Sequence, residues 1–300
     1  VRWKTFGDRR TGRTGKEGVM KPDATLISDT KNTWCPGCGN FSIQHAFKNV
    51  IEEFEKEGVP REKFVLVSGI GCHAKIVDYF RLNSFYSLHG RTIPVATGIK
   101  MANPELKVIC FAGDGDLYAE GLDHLIHAAK RNIDITVICH NNRVYGLTTG
   151  QYTPTSPYGY RGRSTPEGIH EYPLNIIEMM LGSGATFVAR AYSRNIPLLK
   201  RIMHDAISHP GFAHIDVLQI CATFFNMTSF YDEHVYETSE VNVTQFEMAC
   251  RTGQQWNYSD PGPIPLGIFY KTIRSSLPEK REQKKVDRII SIQDILTGHS

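Results

Sequence analysis

No stretch of this 300-residue chain approaches the roughly 20 consecutive apolar residues that a helix needs to cross a bilayer. Its opening residues carry charge with no apolar segment behind them, so no secretory leader is expected. Neither sign of charge dominates: 34 Lys and Arg face 31 Asp and Glu, and the formal net charge of +3 is too weak to argue for nucleic acid. Internal repeats and low-complexity tracts are missing as well. These absences leave a cytoplasmic globular protein as the expectation. With 41% hydrophobic and 22% charged residues, the chain can bury a core without disulfides or metal to hold it. Seven cysteines in a reducing compartment should stay thiols, and clustered ones should be metal or cluster ligands. Two locally basic runs, Arg2 to Lys16 and Lys280 to Arg288, read as solvated or partner-facing tails.

Residues 1 to 33 are polar, show no sustained period and read as an extended arm. In "GNFSIQHAFKNVIEEFEKEG" the residues Ile43, Ala46, Phe47, Val50, Ile51 and Phe54 recur at helical spacing, and Gly58 follows the end. "KFVLVSG" is a short apolar run ending in glycine, a buried-strand signal, and it leads into "IGCHAK". "TIPVATGIKMAN" predicts a helix, "LKVICFAG" a second strand, "LYAEGLDHLIHAAKRN" a helix and "IDITVICHNN" a third strand. That rhythm implies βαβ units: an α/β fold with a parallel sheet and helices on both faces. Residues 148 to 172 are rich in proline and tyrosine without an apolar period, and so long a loop is expected to be functional or a partner contact. "PLNIIEMMLGSG", "ATFVAR", "IPLLKRIMHDAISH" and "GFAHIDVLQI" resume the alternation of helix and strand, which weakens after about residue 222. The expected division is an arm at 1–33, a cofactor-binding domain at 34–225 and a C-terminal extension at 226–300.

Parallel α/β sheets bind ligands at the carboxyl ends of their strands. Gly113-Asp114-Gly115 follows the second strand and Asn141-Asn142 the third. Glycines let the backbone close on a phosphate, a helix N-terminus attracts it, and a carboxylate with an amide oxygen suits Mg²⁺. The pairing resembles the thiamine diphosphate fingerprint. That resemblance makes Asp114, Asn142 and the backbone carbonyl of Val144 the metal ligands. It also implies a second domain for the aminopyrimidine, for which this chain has no room, so the chain should supply half of an active site.

The Cys-x-x-Cys of "TKNTWCPGCGN" fits a redox dithiol, zinc or an iron–sulfur cluster. A thioredoxin-like dithiol would follow a strand and carry Gly-Pro between its cysteines; here the order is Pro-Gly, and the preceding residues are not strand-like. Cys72, just after the first strand, is a good third ligand beside Cys35 and Cys38. Cys221, at a late strand end, is a better fourth than Cys250, while Cys110 and Cys139 sit inside apolar strands. Four cysteines fit zinc or a cubane cluster. The neighbouring thiamine site favours the cluster, because zinc cannot accept electrons.

"TWCPGCGNF", "SGIGC", "HGRTIPVATGIKMANP", "GDGD", "HAAKRN", "NNRVYGLTTGQ", "TPTSP" and "DVLQICATF" occur in that order. From about residue 30 to 225 the chain resembles the β subunit of a 2-oxoacid:ferredoxin oxidoreductase. The resemblance implies oxidative decarboxylation of a 2-oxoacid with coenzyme A, giving acyl-CoA and CO₂. Thiamine diphosphate, Mg²⁺ and a 4Fe–4S cluster would serve as cofactors and ferredoxin as electron acceptor, with an α subunit completing an (αβ)₂ assembly. It matches Cys35, Cys38, Cys72 and Cys221 to the cluster ligands, and Ile70, Gly71, His73 and His89 to the thiamine pocket. Gly115, Asp116, Gly146 and Leu147 match the diphosphate and metal region. Lys75, His89, Leu147 and Thr148 are its candidate catalytic residues. His73 stands where a small residue is expected, and Glu120 where relatives look apolar. The leaning is to 2-oxoglutarate. The alternatives are a pyruvate-specific β subunit, a non-oxidative thiamine-dependent decarboxylase subunit and a zinc-stabilised assembly subunit.

Overall fold

The apolar stripe that follows Cys38 folds as helix α1 (Asn40–Lys56), with Ile43, Ala46, Phe47, Val50, Ile51 and Phe54 all buried. The computed structural model describes residues 2–4, 25–238 and 242–276; the basic run Lys280 to Arg288 and most of the N-terminal one lie outside them. After a short strand β1 (Arg2–Lys4), the elements beyond α1 are β2 (Phe64–Ser68), β3 (Asn83–Tyr86), α2 (Thr92–Ala102) and β4 (Lys107–Gly113). Next come α3 (Asp114–Tyr118), α4 (Leu122–Arg131), β5 (Thr136–Asn141), β6 (Val144–Tyr145) and β7 (Gln151–Tyr152). They are followed by α5 (Ile176–Gly182), β8 (Phe187–Tyr192), α6 (Ile196–Ser208) and β9 (Ala213–Leu218). The C-terminal segment adds α7 (Thr228–His234), β10 (Val235–Glu237), α8 (Phe246–Gly253) and β11 (Ile264–Lys271).

Among the described residues, nine strands form one sheet in the order β1-β3-β2-β4-β5-β9-β8-β11-β10. From β3 across to β8 the neighbours are parallel. Every residue of β2, β5, β8 and β9 is buried, so both faces of the sheet are covered. Helix α1 packs on α6, α2 on α4, and α5 on α8. This is the α/β architecture that the alternation of apolar runs predicts.

Three local differences have physical reasons. The helix expected over 117–132 is broken into α3 and α4, because the backbone of Gly90 passes against that of Glu120. A Cβ on Gly90 would lie 2.4 Å from the Glu120 carbonyl oxygen, so the chain must turn aside there. Strand β3 escapes the pattern because it is short and largely half-buried. The C-terminal segment is less irregular than its sequence suggests: β11 pairs antiparallel with β8, and β10 lies parallel to β11 at the sheet edge.

Among the described residues no helix is long and apolar enough to cross a membrane.

Candidate active site

Strands β2, β4, β5 and β9 are successive neighbours running the same way, so the loops leaving their carboxyl ends lie side by side. Those loops carry Cys72, Asp114, Asn142 and Cys221. The chain thus brings four candidate residues from distant sequence positions to one rim.

One cavity on that rim has a volume of about 110 Å³. It is lined by the candidate residues Ile70, Gly71, Cys72, His73, His89, Asp114, Gly115, Asp116, Asn142, Val144, Gly146, Leu147 and Thr148. Asp114 begins α3 and is 1% exposed. Burial pushes its carboxyl up to about 6, against hydrogen bonds from Thr153 and Thr155 that favour the charged form. The Thr155 hydroxyl lies 2.9 Å from Asp114 Oδ2 and 2.9 Å from Asn141 Oδ1. Asn142 Oδ1 accepts from the Val144 amide at 3.1 Å, closing a tight turn through Arg143 at φ +65°. Gly115 lies under Tyr145, since a Cβ there would stand 2.3 Å from the ring.

Asp116 is turned away from Asp114 and ties two loops together. It accepts from the amides of Gly90 at 2.8 Å and Ile70 at 3.3 Å. Its oxygens lie 2.9 Å from His89 Nδ1 and 3.5 Å from His73 Nε2, ion-pair distances that in neither case have hydrogen-bond geometry. Burial alone would raise the Asp116 pKa, but the two histidines outweigh it and the net shift is downward. The same contact raises His89, against burial. Gly69 allows this arrangement: a Cβ there would meet Asp116 Oδ2 at 1.7 Å. At the rim, Glu120 Oε1 accepts from the Tyr145 hydroxyl at 3.0 Å, and Glu120 Oε2 lies 3.4 Å from His89 Nδ1.

A second cavity, of about 200 Å³, is lined by Cys35, Cys38, Cys72 and Cys221, with Lys75 beside them. The turn brings the Cys38 amide 3.1 Å from the Cys35 carbonyl, and Gly37 adopts φ +78°. The turn abuts the residue after the fourth cysteine, because a Cβ on Gly37 would contact Ala222 at 3.5 Å. Burial pushes the Cys38 thiol up to about 12 and raises Cys72, the latter against the charge of Lys75. Trp34 Nε1 donates to the Cys72 carbonyl at 2.6 Å, and Gln219 Nε2 lies 3.4 Å from Cys38 Sγ. Among the described residues, no three His, Cys, Asp or Glu side chains converge to hold a single metal ion, so the thiols surround a volume without closing on a point. Cys110 and Cys139 are buried in β4 and β5, and Cys250 lies on α8, outside this cavity. The two cavities share Cys72, Asn142, Gly146 and Leu147 as a common wall.

Sequence reasoning missed Thr155, which comes from the long loop to reach Asp114, and Tyr145, which covers Gly115. Thr155 lies within the "TPTSP" motif, so the signal was present without a role attached.

Residues 69–217 match the family model described as thiamine pyrophosphate enzyme, C-terminal TPP binding domain. Over 284 residues the chain is 40% identical to 2-oxoacid:ferredoxin oxidoreductase subunit beta of Saccharolobus solfataricus, covering 89% of this chain and 90% of that protein. It is 42% identical over 192 residues to 2-oxoglutarate synthase subunit KorB of Methanocaldococcus jannaschii, covering 64% of this chain and 70% of the relative. The fold superposes with a TM-score of 0.83 and 31% identity on a chain of 2-oxoglutarate:ferredoxin oxidoreductase from Magnetococcus marinus, solved with 2-oxoglutarate, coenzyme A and succinyl-CoA bound. That match covers 92% of this chain and 94% of the other.

Proposed function

Given that the chain belongs to the family of 2-oxoacid:ferredoxin oxidoreductase β subunits, we propose that it works with its α subunit to decarboxylate 2-oxoglutarate oxidatively in the cytoplasm. Coenzyme A takes the acyl group and ferredoxin the electrons. Asp114, Asn142 and the Val144 carbonyl would hold Mg²⁺ on the thiamine diphosphate, and Cys35, Cys38, Cys72 and Cys221 a 4Fe–4S cluster. Residues 34–225 form the cofactor-binding domain, between the arm and the C-terminal extension, and the subunits pair as (αβ)₂.

The observation that carries this reading is the shared wall: the cavity of the predicted thiamine residues abuts the cavity of the four thiols. The donor chemistry fits both groups. A buried carboxylate, an amide oxygen and a carbonyl are hard ligands for Mg²⁺. The four thiols suit iron, and Cys38 and Cys72, pushed up by burial, would lose their protons to it. When bound, thiamine diphosphate supplies the electron sink that lets a 2-oxoacid lose CO₂, and the cluster accepts electrons singly.

This chain's own side chains set the environment. Ile70 and Leu147, 37% and 50% exposed, give the cofactor cavity apolar surface that excludes water once the partner closes over it. His89 is biased toward its protonated form by Asp116 and stands at the same mouth, where a cation attracts a substrate carboxylate. Lys75 places a second positive charge at the thiol cavity, and the Thr148 hydroxyl lines the cofactor cavity. The names of relatives that carry "2-oxoglutarate" support that substrate, while those naming a 2-oxoacid keep pyruvate as the second reading.

The test is coenzyme A-dependent reduction of ferredoxin or a viologen by the anaerobically purified α–β complex across several 2-oxoacids. The expected result is turnover with the highest kcat/KM for 2-oxoglutarate. Turnover favouring pyruvate would replace the substrate, and no coenzyme A-dependent reduction with any 2-oxoacid would overturn the reading.

A further inference from the structure

Behind Asp114 a line of buried polar side chains runs through the sheet to the C-terminal segment. The Thr155 hydroxyl contacts Asp114 Oδ2 and Asn141 Oδ1, each at 2.9 Å. Asn141 Nδ2 donates to Asp216 Oδ1 at 2.9 Å, one strand over on β9. Asp216 Oδ2 accepts from the Tyr258 hydroxyl and lies 3.5 Å from Arg190 Nε, and Arg190 Nη2 lies 3.1 Å from the Tyr258 hydroxyl. Asn141, Thr155, Arg190 and Asp216 are all 0% exposed. The Arg190 guanidinium is stacked against Trp256 at 4.9 Å and Tyr258 at 5.0 Å, and its Nη1 has no hydrogen-bond partner.

A buried ion pair is poor evidence of stabilisation, since apolar side chains of equal volume hold a core as well or better. This one has a direction. A carboxylate accepts and never donates, so Asp216 obliges Asn141 to present its NH₂ group on that side and its carbonyl oxygen to Thr155. Thr155 then has one hydrogen and two acceptors, Asn141 Oδ1 and Asp114 Oδ2. The charged carboxylate is the stronger acceptor, so the hydrogen goes to Asp114 Oδ2 and holds it, with Asn141 Oδ1 bounding the hydroxyl on its other side.

We propose that Thr155, Asn141 and Asp216 are positioning residues for the metal site. The Thr155 hydrogen bond fixes the Asp114 carboxylate before the cofactor arrives, with Asn141 and Asp216 setting where that hydroxyl sits and Arg190 and Tyr258 holding Asp216. The proposal rests on Asp114 being the Mg²⁺ ligand. Partners of this kind, one step behind a metal ligand, contribute about 10–100-fold to metal affinity.

The experiment strips the α–β complex with a chelator and titrates Mg²⁺ at fixed thiamine diphosphate. Cofactor retention is read by calorimetry, and thermal midpoint and cluster absorbance are recorded alongside. For Thr155→Val we expect about 10–100-fold more Mg²⁺ for half-saturation, with cluster absorbance unchanged. Thr155→Ser, which keeps the hydroxyl, should return to near wild type. Asp216→Asn, which frees the Asn141 amide to turn over, should also need more Mg²⁺. Wild-type Mg²⁺ dependence in Thr155→Val, whatever its thermal midpoint, overturns the proposal, as does a Thr155→Ser variant no better than Thr155→Val. Asp114→Ala separates the two readings. If it retains cofactor normally, the metal assignment falls; if it loses cofactor while Thr155→Val does not, the positioning role alone falls.

Discussion

Gly146 lies against Cys221: a Cβ on that glycine would stand 3.6 Å from the Cys221 sulfur, and 3.7 Å from that of Cys72. These are ordinary contact distances, so a methyl group fits at Gly146, and a longer side chain would extend toward the two sulfurs. Gly146→Ala should therefore keep iron content and visible absorbance close to wild type. Gly146→Leu should push its side chain between the two sulfurs and lose most of the iron. Full iron loading in Gly146→Leu would show that the thiol cavity is not where the cluster sits.

Cys221→Ser should weaken or convert the cluster and remove ferredoxin reduction, while thiamine diphosphate stays bound. Cys250→Ser, on α8 and outside the thiol cavity, should change neither. An intact four-iron spectrum with full electron transfer in Cys221→Ser would refute the ligand set, and a loss in Cys250→Ser would redirect it.

Asp116→Asn removes the charge that raises His89. The His89 titration, followed by NMR of the imidazole, should move down toward the ordinary 6.5. An unmoved midpoint would mean that Glu120, 3.4 Å away, supplies the bias instead.

His214, fully buried on β9 with its Nε2 3.0 Å from the Tyr118 hydroxyl, is held neutral by burial, its pKa lowered to about 4. Between pH 6.5 and 4 the unfolded chain takes a proton that the folded chain refuses, so stability is full above 6.5 and falls as the pH drops. The loss is on the order of 3 kcal/mol for this one group. Urea midpoints measured across that window should fall less steeply in His214→Gln than in wild type. Parallel slopes would place the acid sensitivity elsewhere.

Much of this fold is legible because β2, β4, β5, β8 and β9 are buried on both faces and therefore read as unbroken apolar runs. Their ends are legible too, which is why the sequence alone singles out Cys72, Asp114, Asn142 and Cys221. Strand β11 hides for a different reason: Pro265 and Gly267 interrupt it, and both residues usually argue against a strand. Thr155 and Tyr258 were out of reach because their roles arise from contacts across loops. Local periodicity carries no record of a hydroxyl that meets a carboxylate 41 residues away.

The rim that gathers these residues is completed by the loop after β9, although its first cysteine stands at position 35. A nascent chain released as far as β5 already displays three of the four thiols and Asp114, but Cys221 and the strand that carries Asp216 are still to be made. A cluster held by all four thiols thus cannot be loaded during synthesis of the first half. If these thiols hold the proposed cluster, iron insertion waits for the finished sheet, and iron content then reports on whether that sheet has folded.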